Sequence, residues 1–166
     1  NGCVQKGQET VKQNSNGWWY IGTDGKVDFH KNTVAPNEYG WWAVRNGAVD
    51  FQLNGIASNE SGDWYCRGGQ VDFGAAGVLE SETEGFCGWY YIQNGCVQKG
   101  QETVKQNSNG WWYIGTDGKV DFGFSGIASN ENGTWYIENG KVNFTYSGTY
   151  EDENGRIYDI KSGNVA

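Results

Sequence analysis

The chain has 166 residues, 16% of them aromatic, and 20 acidic against 12 basic side chains give it a formal charge of −8. That balance argues against nucleic acid or an anionic membrane surface as partner, since both select a basic face, and no apolar run is long enough to insert in a bilayer. Glycine numbers 27 and recurs at every period, and no stretch spaces its apolar residues helically, which excludes helix.

From the N-terminus, Asn1 to Phe29 recurs without change as Asn94 to Phe122. A shorter period underlies that identity. Valines fall at Val4, Val27, Val49, Val71, Val97, Val120, Val142 and Val165, with spacings of 23, 22, 22, 26, 23, 22 and 23 residues. One short unit copied in this way is a repeat array, and its fold follows from the unit. The expectation is an all-β solenoid of stacked β-hairpin repeats: a single array over 1–166 of about seven units, with an irregular unit near 74–98. The chain opens inside one turn (Asn1-Gly2-Cys3-Val4), stops just after another (Ser162-Gly163-Asn164-Val165) and has no methionine. Those ends predict a piece of a longer protein, truncated at both ends.

Each unit reads as aromatic and β-branched residues, a turn, and an alternating strand. The first has Trp18-Trp19-Tyr20-Ile21 and the longer turn Gly22-Thr23-Asp24-Gly25; the second has Trp41-Trp42 and Asn46-Gly47. The clearest copy runs from Gly126 to Phe144, with Trp135-Tyr136-Ile137 before Asn139-Gly140 and Lys141-Val142-Asn143-Phe144 after it. Aromatic and β-branched residues suit a pleated surface, and Asn-Gly supplies the positive φ of a two-residue hairpin turn. That turn sets Glu138 opposite Lys141, Ile137 opposite Val142, Tyr136 opposite Asn143 and Trp135 opposite Phe144. Alternation then predicts a core face of Trp135, Ile137, Val142 and Phe144, with Trp19, Trp42, Trp64 and Trp112 equivalent to Trp135. The rest of each unit reads as a polar connecting loop. One hairpin cannot bury its own apolar face, so neighbours must stack; seven layers would make a rod about 70 Å long.

The opposite face carries Trp18, Trp41, Trp89 and Trp111 with Tyr20, Tyr65, Tyr91, Tyr113 and Tyr136. These nine are the candidate ligand-binding residues. Exposed aromatic walls between layers stack on sugar rings, hold a quaternary ammonium by cation–π attraction, or form a protein-binding patch; their competing role is packing between strands and layers.

Catalytic constellations are missing from the sequence. The one histidine, His30, sits in a loop, and no Ser-His-Asp or Cys-His pattern recurs, so the chain reads as non-enzymatic and without cofactor. Asp28, Asp50, Asp72 and Asp121 repeat after the turn valine and would offer Ca²⁺ oxygens if stacked, but Gln98 and Asn143 take the same position without other change, which favours solvated side chains over a metal site. Dispersed Cys3, Cys66, Cys87 and Cys96 do not fit zinc. Cys3 and Cys96 lie four layers apart, beyond the roughly 7 Å Cα separation of a disulfide. The expected bridge is Cys66–Cys87, with Cys87–Cys96 second and free thiols the remaining alternative.

The unit Gly133-Thr134-Trp135-Tyr136 followed by Asn139-Gly140-Lys141-Val142 resembles the choline-binding and cell-wall-binding repeats of Gram-positive surface proteins. The resemblance covers essentially the whole chain. It implies a β-hairpin solenoid that holds a surface protein on the cell wall, and, for choline binders, a ligand between successive hairpins in a cage of three aromatics. Two departures stand out: Ile56, Val78, Ile127 and Thr149 take the place of the Trp that usually follows the inter-unit Gly, and the Phe after Val-Asp is extra. The expected function is extracellular attachment at the cell surface through a cell-wall polymer or glycan. The alternatives are an adhesin-like array that binds a host protein, immunoglobulin or a mucosal glycoprotein, and a passive stalk.

Overall fold

The computed structural model describes residues 6–166, and every regular element among them is a β-strand in an antiparallel ladder. Cys3 and Val4 lie outside the described residues. The chain is a β-hairpin solenoid whose repeat has three strands. Gly126–Asn130 pairs with Gly133–Glu138, Asn130 opposite Gly133, and the chain then turns at Asn139-Gly140 into the short strand Lys141–Val142. Ile137 faces Val142 and Glu138 faces Lys141, as the turn predicts. Asn139 and Gly140 have φ of 50° and 76°, the left-handed pair of a tight hairpin. The connecting-loop reading is corrected here: Gly126–Asn130 is the first strand of the longer hairpin. Its Ala128 and Ser129 gave no alternation to read, because the pairing is made by backbone and by small side chains.

Repeats are joined through the short strand. Lys141–Val142 lies between its own Gly133–Glu138 and the preceding repeat's Gly110–Ile114, with Trp112 opposite Lys141. The same step sets Trp135 opposite Asn164, Trp19 opposite Ala48, and Trp42 opposite Gln70. At each step the turn glycine's carbonyl accepts from the neighbouring repeat: Gly140 O from Tyr113 N at 2.8 Å, and Gly47 O from Tyr20 N at 2.8 Å. This contact explains why the turn must end in glycine. A Cβ at Gly140 would lie 2.5 Å from Asp121 O and 2.7 Å from Phe122 Cα, so the position needs both a positive φ and no side chain.

Two compact units result, and the division passes through the irregular stretch. One contains the chain up to Ala75 with Ser81–Cys87 and Gln93–Val97; the other contains Ala76–Glu80, Gly88–Ile92 and Gln98–Ala166. In the first, Val11, Tyr20, Ala35, Val44 and Val49 form one core cluster, and Val34, Ala43, Leu53, Cys66 and Val71 the next. In the second, Val104, Tyr113, Ala128, Ile137 and Val142 form a cluster of the same construction. Each fully buried Ile or Val stabilises its layer by roughly 1.5–3 kcal/mol, which is how a unit too small for a core of its own is held by its neighbours.

The predicted faces hold for Ile137 and Val142, which are buried, and fail for the phenylalanines. Phe51, Phe73, Phe122 and Phe144 are 44–50% exposed. The short strand ends at the valine, and the next residue closes an Asx turn. Asp50, Asp72, Asp121 and Asn143 each accept the N–H two residues on, as in Gly123 N to Asp121 Oδ1 at 2.8 Å. Phe therefore leaves the ladder before alternation can turn it inward. The recurrent acids shape turns, and among the described residues no group of three or more side chains could hold a metal ion.

Cys66 and Cys87 are free thiols, which corrects the expected bridge. Cys66 points into the core cluster of Ala43 and Val71, its Sγ donating to Trp64 O at 3.6 Å, while Cys87 is exposed. Burial pushes the Cys66 thiol up to about 12, opposed in part by a backbone hydrogen bond at Ala57.

Candidate ligand-binding site

The tryptophan doublets straddle a strand, so their two rings serve different neighbours. In Gly40–Arg45, Trp42 turns toward its own repeat's Phe51 at 5.6 Å between ring centroids, while Trp41 turns toward the following repeat's Trp64 at 5.6 Å. Among the described residues, repetition gives four clusters, each with the first Trp of one repeat and the second Trp and Phe of the next. Trp18 meets Trp42 at 6.4 Å, beside Phe51. Trp41 meets Trp64 and Phe73 at 5.6 and 6.2 Å. Trp89 meets Trp112 at 5.7 Å, beside Phe122. Trp111 meets Trp135 and Phe144 at 5.3 and 6.1 Å. Within each cluster the second Trp and Phe pack edge to face, with interplanar angles of 68–75°.

The second Trp is oriented by an asparagine five residues earlier. Trp42, Trp64, Trp112 and Trp135 donate Nε1–H to Oδ1 of Asn37, Asn59, Asn107 and Asn130 at 2.9–3.0 Å. The same oxygen accepts a turn N–H, as from Asn132 to Asn130 at 2.9 Å, and Asn130 Nδ2 reaches the preceding repeat at Val104 O, also 2.9 Å away. One side chain thus fixes the turn, the indole and the spacing of two repeats.

Of the nine candidates, Trp18, Trp41, Trp89 and Trp111 enter the clusters. The tyrosines form a separate row. Tyr20 and Tyr113 are 3% and 5% exposed, so neither presents a ring to ligand, a correction to their expected role. The preceding strand's Val11 and Val104 lie opposite them and close that side. Burial first, then a hydrogen bond to Glu102, raises Tyr113 to about 12, and burial with Glu9 likewise pushes Tyr20 up. Tyr65, Tyr91 and Tyr136 are half-buried. Arg67 lies over Tyr65 at 5.4 Å, Lys105 over Tyr91 at 5.2 Å, and Tyr136 packs on Tyr146 at 4.5 Å. Trp42, Trp64, Trp112, Trp135 and the phenylalanines, expected in the core, are the other walls of the clusters. An Asn three residues before Gly and five before Trp, as in Asn130…Gly133…Trp135, was the legible signal for the oriented indole.

Cations already sit on these aromatic surfaces. Lys141 Nζ lies 5.1 Å from the Trp112 ring centroid and Lys119 Nζ 5.7 Å from that of Tyr90, both inside the range of cation–π attraction.

Against known families, residues 31–50, 54–72, 88–98 and 123–143 match the model described as choline-binding repeat. No curated protein matches the chain. Similar solved structures include CbpJ from Streptococcus pneumoniae TIGR4, 18% identical over 95% of this chain and 52% of that one, TM-score 0.40. Choline binding protein F from Streptococcus pneumoniae is 18% identical over 94% of this chain and 51% of its own, TM-score 0.39. A pneumococcal cell wall endolysin from phage Cp-1, complexed with choline, is 19% identical over 92% of this chain and 42% of its own, TM-score 0.38. The chain thus spans about half the length of these proteins or less.

Proposed function

We propose that this chain, four stretches of which match the choline-binding repeat model, is a non-catalytic, extracellular attachment region that grips quaternary ammonium groups, choline above all, on a bacterial cell-wall polymer. The observation that carries this reading is the fourfold recurrence, among the described residues, of a Trp–Trp–Phe cluster built across two repeats, with its tryptophans half-buried and its phenylalanine exposed. A trimethylammonium group laid on such a cluster comes within about 6 Å of its ring centroids, where each ring's negative face attracts it. Phe51, Phe73, Phe122 and Phe144 supply the third wall, so the missing Trp at Ile56, Val78 and Ile127 does not leave the seat two-sided. The formal charge of −8 favours a cationic ligand over an anionic one.

Intrinsic tryptophan fluorescence during titration with free choline, alongside retention of the chain on choline-bearing walls, tests the reading. Saturable change and elution of the wall-bound protein by choline support it. Retention released by sugars but indifferent to choline replaces the cation with a glycan, and no retention ends the attachment reading.

A further inference from the structure

One cluster has a ring the other three lack. Tyr39 is the second residue of the turn between Thr33–Asn37 and Gly40–Arg45, where the repeats of the other clusters carry Ser61, Asn109 and Asn132. It is 65% exposed and stands edge-on to Trp18, 6.1 Å away at 82°. Its backbone is held from both sides: its N–H donates to Asn37 Oδ1 and its carbonyl accepts from Gln70 Nε2, each at 2.8 Å. A large aromatic ring left in water on a fixed backbone fills no core, so packing gives no reason for it. It does extend the wall of the Trp18–Trp42–Phe51 cluster.

Resting on the reading above, we propose that Tyr39 is a specificity-determining fourth wall, and that it makes this cluster the tightest of the four for a quaternary ammonium ion. The clusters are then unequal, and the chain fills them in order. One added ring face at a partly exposed site strengthens binding of a cation about three- to tenfold. The ring's fixed backbone adds to this by removing the need to order it on binding.

The experiment is titration of the whole chain with tetramethylammonium, followed by the indole N–H resonances of Trp42, Trp64 and Trp135, each an oriented donor in a different cluster. In the wild type Trp42 reaches its midpoint first, about three- to tenfold below Trp135. Tyr39→Asn, the residue found at Asn109 and Asn132, brings Trp42 level with Trp135 and leaves Trp64 and Trp135 where they were; Tyr39→Phe restores the difference. Equal midpoints in the wild type, or a Trp42 midpoint unmoved by Tyr39→Asn, overturn the proposal while the attachment reading stands. Indoles that do not respond to the cation at all overturn both.

Discussion

Asn130 holds three things at once through two atoms: its Oδ1 receives the Asn132 N–H and the Trp135 indole, and its Nδ2 reaches Val104 of the preceding repeat. At about 1 kcal/mol net for each intramolecular hydrogen bond, Asn130→Ala is expected to lower stability by roughly 2–3 kcal/mol in urea denaturation. Asn130→Asp keeps both accepted bonds and loses the donated one, so it falls between. Tyr113 makes a pH-dependent contribution. Its phenol is raised from 10.0 to about 12, first by burial and then by Glu102. A group whose folded value is raised stabilises fully below its unfolded value and stops doing so as pH climbs through its folded one. Stability is therefore expected to fall between pH 10 and about 12, and Tyr113→Phe to flatten that part of the curve in a melting series. The buried, protonated Cys66 predicts a third result: under native conditions an alkylating reagent labels exposed Cys87, and Cys66 reacts only once the chain unfolds.

At the scale of the element, the Asn139-Gly140 turn does more than reverse a strand. Its glycine is the point where one repeat's backbone touches the next, at Asp121 O and Phe122 Cα. Gly140→Ala meets both the left-handed φ of 76° and a backbone collision at 2.5 Å. Gly85 has a similar φ of 82° with nothing within 4 Å. Gly85→Ala is expected to lose about 1 kcal/mol from φ alone, and Gly140→Ala clearly more, read as the difference in urea midpoints. Equal losses would mean that the repeats separate easily there. The ion pair of Lys105 with Glu131, 3.0 Å apart and open to water on its Glu131 side, crosses the same junction. Solvent screening leaves it a minor part of the stability.

Over the whole molecule, the alternation of one strand distributes its tryptophans between clusters. Adjacent Trp41 and Trp42 belong to different clusters because neighbouring side chains point to opposite faces. Two clusters lie within each compact unit: those of Trp18 and Trp41 in one, those of Trp89 and Trp111 in the other. Calorimetric titration with choline is expected to approach four sites per chain, one for each cluster among the described residues, and Trp41→Ala to remove one while Trp42 still serves its own. A loss of all binding in Trp41→Ala would show that the clusters do not act independently. Several weak seats on one chain would hold a polymer far more tightly than any one of them.

The repeat period, the all-β strands, the Asn-Gly turns and the inward Ile137 and Val142 were all legible in the residues, because each depends on local backbone preference or on alternation within one strand. The Trp clusters were only half legible. The sequence named Trp18, Trp41, Trp89 and Trp111, but it placed Trp42, Trp64, Trp112, Trp135 and the phenylalanines in the core and Tyr20 and Tyr113 at the surface. Alternation shows which residues share a face; it does not show which face a neighbouring repeat covers. That was decided by the short strand inserted between repeats, which sets Trp112 opposite Lys141, and by the Asx turn that takes Phe144 out of the ladder. Both involve partners about twenty residues or more away or a change of chain direction, and no two-residue period records either.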